Sequence, residues 1–98
     1  MMKLHFAGKN IEVTPALKAL LEEKFTKLEH KFSHISNVYT VLVVEKNDQV
    51  AEATVHIDGI EIHATATSED MYQSIEALAA KLTTQLTKHK EKLIEDHR

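Results

Sequence analysis

Cysteine is absent from the 98-residue chain. That excludes disulfides, thiolate metal sites and cysteine nucleophiles, while leaving the redox compartment open. Proline occurs once and glycine twice, which excludes collagen-like and Gly/Pro-rich disordered chains. Aromatic residues make up only 5% and tryptophan is missing. No uninterrupted apolar run exceeds the four residues of Val41–Val44, against the ~20 that a membrane-spanning helix needs. The start, Met1-Met2-Lys3-Leu4-His5, lacks the apolar stretch of a secretory signal. These absences predict a cytoplasmic protein with no membrane partner. What is present is a chain 43% hydrophobic and 28% charged, far below the ~250–300 residues at which chains usually split, so a single domain with one core is expected over 1–98.

An excess of basic charge is also missing: the formal net charge is −3, which on average argues against a generic polycation for nucleic acid. The average hides a segregation. Between Glu45 and Glu76 eight acidic side chains face a single lysine, whereas the segments on either side are net positive. Because fields act over about a Debye length, ~8 Å at physiological salt, one face of such a molecule can still be cationic.

Leu4-His5-Phe6-Ala7, ended by Gly8, reads as a short strand. Thr14-Pro15 reads as a helix start, with threonine as cap and proline at the first helical position, where its missing N–H costs nothing. Leu17, Leu21, Phe25, Leu28 and Phe32 then recur at steps of three and four, widened by Leu20, as the apolar stripe of a helix. Val38–Val44 is apolar at most positions of both parities, the pattern of a strand in the middle of a sheet. Strict alternation follows on both sides of Asp58-Gly59, a preferred two-residue hairpin turn. A two-residue turn pairs Ile57 with Ile60, Val55 with Ile62, Ala53 with Ala64 and Ala51 with Ala66. It leaves His56 opposite Glu61 and Thr54 opposite His63 on the polar side. Thr67 lies three residues before Asp70, so a capping box with Glu69 and Asp70 in the first turn is expected to open a second helix. Met71, Ile75, Leu78, Leu82, Leu86 and Leu93 form its apolar arc. The fold class is therefore α+β, β-α-β-β-β-α, with both helices covering one face of a four-stranded sheet.

On the first helix Lys24, Lys27 and Lys31 share one shoulder of the apolar stripe, and Glu22 and Glu29 the other. On the second, Lys81, Lys88 and Lys92 fall within about 40° of one another beside the apolar arc. Side by side, the helices are expected to merge these stripes into one basic surface, extended by His30, His34, His89 and Lys90. Ammonium groups so placed suit a phosphate backbone, although lysines bordering an apolar stripe also commonly reach past it to water.

Other chemistry finds little support. Seven histidines raise the question of a metal, but no His-Glu-x-x-His spacing occurs and His30 and His34 straddle a helix end, so no zinc site is expected. Gly8 and Gly59 are too isolated to cradle a phosphate, and no nucleophile elbow is present. Tyr39 and Tyr72 could stack on bases, but one tyrosine per element more often packs at a core edge. No enzyme, cofactor or small-molecule substrate is expected.

Several segments carry a resemblance. Gly8-Lys9-Asn10-Ile11-Glu12-Val13-Thr14, Lys24-Phe25 with Lys27-Leu28-Glu29, Val43-Val44-Glu45-Lys46, Glu61-Ile62-His63-Ala64, Asp70-Met71-Tyr72 and Gln85–Leu93 closely resemble the short bacterial ribosome hibernation-promoting factors and their paralogue, the ribosome-associated translation inhibitor. The resemblance runs in order from Leu4 to Leu93 and implies the same β-α-β-β-β-α fold. It further implies binding to 16S rRNA of the small ribosomal subunit, in the channel of mRNA and the A- and P-site tRNAs. Lys24, Lys27, Lys31, Lys81, Lys88, His89, Lys90 and Lys92 would be the rRNA contacts, and initiation would be blocked by exclusion. With no segment resembling the C-terminal dimerisation domain of long forms or the extended tail of the inhibitor, the short promoting type is expected, pairing ribosomes with help from a separate modulation factor. Glu91, Glu95 and Asp96 make the end of the last helix less basic than the rest. Two other readings stay open on residues alone: a tail-less inhibitor that protects single ribosomes, and a protein-interaction or small-ligand domain using His56, Glu61 and His63.

Overall fold

A computed structural model describes residues 2–96, with side chains described as far as Lys92. The order is β1 (Lys3–Lys9), α1 (Pro15–Lys31), β2 (Ile35–Glu45), β3 (Asp48–Ile57), β4 (Ile60–Ser68) and α2 (Met71–Asp96), as the patterning requires. The strands form one sheet in the order β1-β2-β3-β4, with β1 parallel to β2 and the other neighbours antiparallel.

The hairpin register is the one that apolar-with-apolar pairing dictates. Ile57 faces Ile60, Val55 faces Ile62, Ala53 faces Ala64, Ala51 faces Ala66, and on the other side His56 faces Glu61. Asp58 and Gly59 turn the corner with φ of 52° and 77°, the left-handed pair of a tight hairpin whose twist matches the strands. A sheet residue shows alternate faces, so one face takes Val38, Leu42, Val55 and Ile62 and becomes the core.

Both helices cover that face. Thr14 caps α1 through its Oγ1, which accepts from the Leu17 N–H at 3.3 Å, and Pro15 follows at the first position. The helix stops where Phe32 turns extended, its N–H bonded to the Leu28 carbonyl. Phe32 therefore lies outside the helix but stays in the apolar stripe, buried with Leu17, Leu21, Phe25 and Leu28. In α2 the arc from Met71 to Leu86 is buried; Leu93, Glu95 and Asp96 lie outside the described side chains. The alanines at 51, 53, 64 and 66 keep the floor beneath α2 low, so Leu78 and Leu82 sit fully buried there. Truncating one such leucine to alanine costs about 2–5 kcal/mol, a large fraction of a small domain's stability.

Three local expectations are corrected. Gly8 does not end β1 but lies inside it: a Cβ there would stand 2.2 Å from the Ile11 carbonyl oxygen, so the returning chain can pass only over glycine. The α2 start uses Asp70 rather than Thr67. The Asp70 carboxylate accepts from the Tyr72 N–H at 3.2 Å, and Glu69 and Asp70 precede the helix, whose first turn holds no acid. Local bonding at Ser68, whose hydroxyl meets the Asp70 carbonyl and the Ser74 hydroxyl at 2.6 Å, explains the delay.

Candidate nucleic-acid interface

The α1 lysines lie where the helical period places them. Glu22 is on the β1 side with Lys18, Leu4 and Phe6, and Glu29 accepts from the Met2 N–H at 2.9 Å. Lys24, Lys27 and Lys31 take the opposite shoulder and line a groove of about 310 Å³ against Glu76, Ala79, Ala80 and Thr83 of α2. These five residues are therefore segregated as expected, while Lys18 shares the Glu22 side and Glu23 the lysine side.

Neutralisation accompanies it. Lys24 Nζ sits 2.6 Å from Glu76 Oε1, with the lysine side chain only 19% exposed. Its pKa is raised, chiefly by the hydrogen bond to Glu76, which outweighs the opposing effect of partial burial, while the charges of Glu76 and Glu23 add to it. Lys27 reaches Glu23 at 3.4 Å, one helical turn back, with both ends in water, a pair of small energetic weight. Lys31 is exposed and forms no ion pair among the described residues.

Of the α2 lysines expected to join this groove, Lys81, Lys88 and Lys92 do not. Lys81 Nζ donates to the Thr65 carbonyl of β4 at 2.6 Å, and Gln85 Nε2 donates to the His63 carbonyl at 3.2 Å. At ~100° per residue Lys88 and Lys92 share Lys81's side, the β4 flank, whereas Lys90 falls seven residues after Thr83 and shares the groove side. Two basic flanks result, separated by an outward ridge that carries Ala80 and Thr84. The helical period fixes the angle between lysines and apolar arc but not which shoulder a neighbouring helix will cover; Glu76, Ala79 and Thr83 take that place.

His89 also differs from its expected role as a free surface cation. It is 14% exposed and its Nε2 stands 2.9 Å from Asp58 Oδ2, while His34 Nδ1 stands 2.7 Å from Asp58 Oδ1. Asp58, at the tip of the hairpin, is thus clamped between the segment after α1 and the distal part of α2. Its pKa lies below the ordinary 3.8, held down first by the His89 hydrogen bond and then by His34, against a desolvation effect of opposite sign. Sequence reasoning saw in Asp58 only a turn residue, because nothing local links it to histidines 24 and 31 positions away. His30 remains exposed.

On the far side of the sheet the polar hairpin pairs appear as read, His56 3.1 Å from Glu61 and Thr54 3.0 Å from His63. Tyr39 and Tyr72 are 45% and 46% exposed rather than packed at a core edge. Among the described residues no cluster of three or more His, Asp or Glu is arranged to hold a metal, and no helix is long and apolar enough to cross a membrane.

Residues 4–94 match the model of the family described as Sigma 54 modulation protein / S30EA ribosomal protein. The chain belongs to this family. Within it, the chain is 51% identical over 92 residues to the ribosome hibernation promoting factor of Klebsiella oxytoca, covering 94% of this chain and 97% of that one. The ribosome hibernation promoting factor of Escherichia coli (strain K12) is 50% identical over the same span. A ribosomal subunit interface protein from Coxiella burnetii superposes with a TM-score of 0.83 at 33% identity, over 93% of this chain and 99% of that one. The N-terminal domain of Thermus thermophilus Protein Y superposes equally, at 0.83, over 91% and 99%, and at 24% identity it supports the fold alone. The resemblance read from the segments Gly8–Thr14, Asp70–Tyr72 and Gln85–Leu93 is borne out, as is the α+β architecture. Membership in the ribosome hibernation promoting factors makes this a ribosome-associated factor.

Proposed function

We propose that the chain silences translation by occupying the mRNA and tRNA channel of the small ribosomal subunit, with 16S rRNA as its direct partner. One observation carries the reading. A chain of net charge −3 places Lys88, Lys90 and Lys92 on α2 and Lys31 at the end of α1, all exposed and outside any ion pair among the described residues, along the two sides of the long helix α2. Ammonium groups in that arrangement displace condensed counterions from phosphates, the dominant source of affinity for nucleic acid. Lys27 adds to the groove side at little cost, since its pair with Glu23 is weak. Lys24 and Lys81, already bonded to Glu76 and Thr65, and His89, bonded to Asp58, complete the proposed contact set with smaller shares.

Inhibition on this reading is exclusion: while the factor is seated, mRNA and the A- and P-site tRNAs have no room, and no bond is made or broken. The factor acts in the cytoplasm as a single domain. Pairing of idle ribosomes into inactive dimers is assigned to its cooperation with a separate modulation factor.

Co-sedimentation with isolated small subunits tests the reading. Binding is expected to fall steeply with salt and to be displaced by mRNA together with initiator tRNA; salt-independent binding, or binding indifferent to those competitors, overturns it. Sucrose gradients of cells producing the protein then separate promotion of ribosome pairs from protection of single ribosomes.

A further inference from the structure

The face of the sheet turned away from the helices carries a feature that the lysine flanks do not use. Alternation along β1 puts Lys3, His5, Ala7 and Lys9 on that face, all exposed. Register sets His5 directly beside Tyr39, and Lys3 beside Asn37, which in turn faces His56. The His5 and Tyr39 rings stack, their centroids 4.4 Å apart and their planes 7° from parallel, and His56 lies tilted at 5.4 Å on the other side of Tyr39.

The direction of this column matters. Neighbouring strands lie about 4.7–4.9 Å apart, close to the ring separation, so the stacking axis runs across the strands. Since β1 is the edge strand, the second face of the His5 ring meets no further strand. It is a π-surface open at the sheet border, backed by a second ring that holds it in place.

The surroundings select the occupant. Imidazole and phenol rims are too polar for a purely apolar partner. Lys3 and Lys9 flank His5 on the same face and form no ion pair among the described residues. The acids of this face are Glu45 on β2, Asp48 and Glu52 on β3 and Glu61 on β4, none of them on β1, and Glu61 is engaged by His56. Charge on this face is therefore cationic along β1 and acidic across β2, β3 and β4. A planar aromatic ligand joined to an anionic backbone fits that division, its ring on His5 and its phosphates along Lys3 and Lys9.

We propose that the β1 border is a stacking site for an unpaired nucleobase of single-stranded RNA, which extends the His5–Tyr39 column while Lys3 and Lys9 hold the adjoining phosphates. The molecule then has two RNA-facing surfaces on opposite sides, the lysine flanks of the helices and this border. The choice of RNA rests on the functional reading above; the stacking geometry does not.

The test is an NMR titration of the full-length protein with the single-stranded hexamer rA6 and with an abasic hexamer of the same backbone. Expected are ring-current shifts at His5 and Tyr39 with rA6 and none with the abasic strand. His5→Ala should weaken rA6 binding roughly 5- to 150-fold, the range of base–aromatic stacking, whereas His5→Phe, which keeps a ring, should restore it; matching amide spectra and melting temperatures establish that both variants fold. Equal binding of the abasic strand, shifts confined to α1 and α2, or His5→Ala binding like the parent overturns the site. The two proposals fail separately: rA6 stacking on His5 without small-subunit binding discards the ribosomal reading alone, and small-subunit binding without stacking discards this one alone.

Discussion

The two sides of α2 are lined by the same residue type in different company, the inner side largely by lysines of α1. On the side facing α1, Lys24 is drawn into a tight pair with Glu76 and Lys27 into a loose one with Glu23. On the side facing β4, Lys88 and Lys92 stand exposed outside any ion pair among the described residues, and only Lys81 is bonded, to a carbonyl rather than a charge. A count of lysines rates the flanks alike, but what each can offer a phosphate depends on the carboxylates folded beside it. Already paired, an ammonium must first give up its partner, and the gain on binding shrinks accordingly.

The sharpest way to break this contrast is to reverse charge on the open flank. Lys88→Glu with Lys92→Glu should lower affinity for isolated small subunits by at least tenfold and reduce the salt slope by about two, with the melting temperature nearly unchanged. Lys24→Gln should do much less, and equal losses in the same co-sedimentation series would erase the distinction between flanks. A gain of roughly two- to fivefold, with the salt slope steeper by about one, is expected of Glu76→Gln, which releases Lys24; if affinity stays flat, Lys24 serves packing only. The smallest effect is anticipated at Asp58. A carboxylate with a depressed folded-state pKa adds stability that is complete above its unfolded value, near 3.8, and is lost as pH falls through the lower folded value. Asp58→Asn should therefore melt below the parent at neutral pH, and the two curves should converge below about pH 3.8. A gap that persists in strong acid would assign the loss to the turn itself.

Much of the fold is legible in the sequence, for identifiable reasons. A period of two tolerates no slip, so the alternation around Asp58-Gly59 fixes the register from Ala51–Ala66 to Ile57–Ile60 residue by residue. Thr14-Pro15 marks a helix start through two independent backbone effects, and it holds. Ends that rest on weaker chemistry move: β1 extends through Gly8 to Lys9, and the α2 cap shifts from Thr67 to Asp70 once Ser68 captures local backbone groups. The basic residues were legible as two stripes, but their merger was not, since a helical wheel has no knowledge of its neighbour. The Asp58 clamp and the His5–Tyr39 column were least accessible, because both arise from pairings across 24 to 34 positions that only the assembled sheet creates.

Lys81 illustrates how structure and charge can share one atom. β4 is a border strand whose main-chain carbonyls would otherwise be bare to any passing chain, and the Lys81 ammonium together with the Gln85 amide closes them off at Thr65 and His63. Trimming that one side chain would both thin the positive flank and unseal the margin of the sheet, so its loss would be felt as stickiness as much as weakened grip.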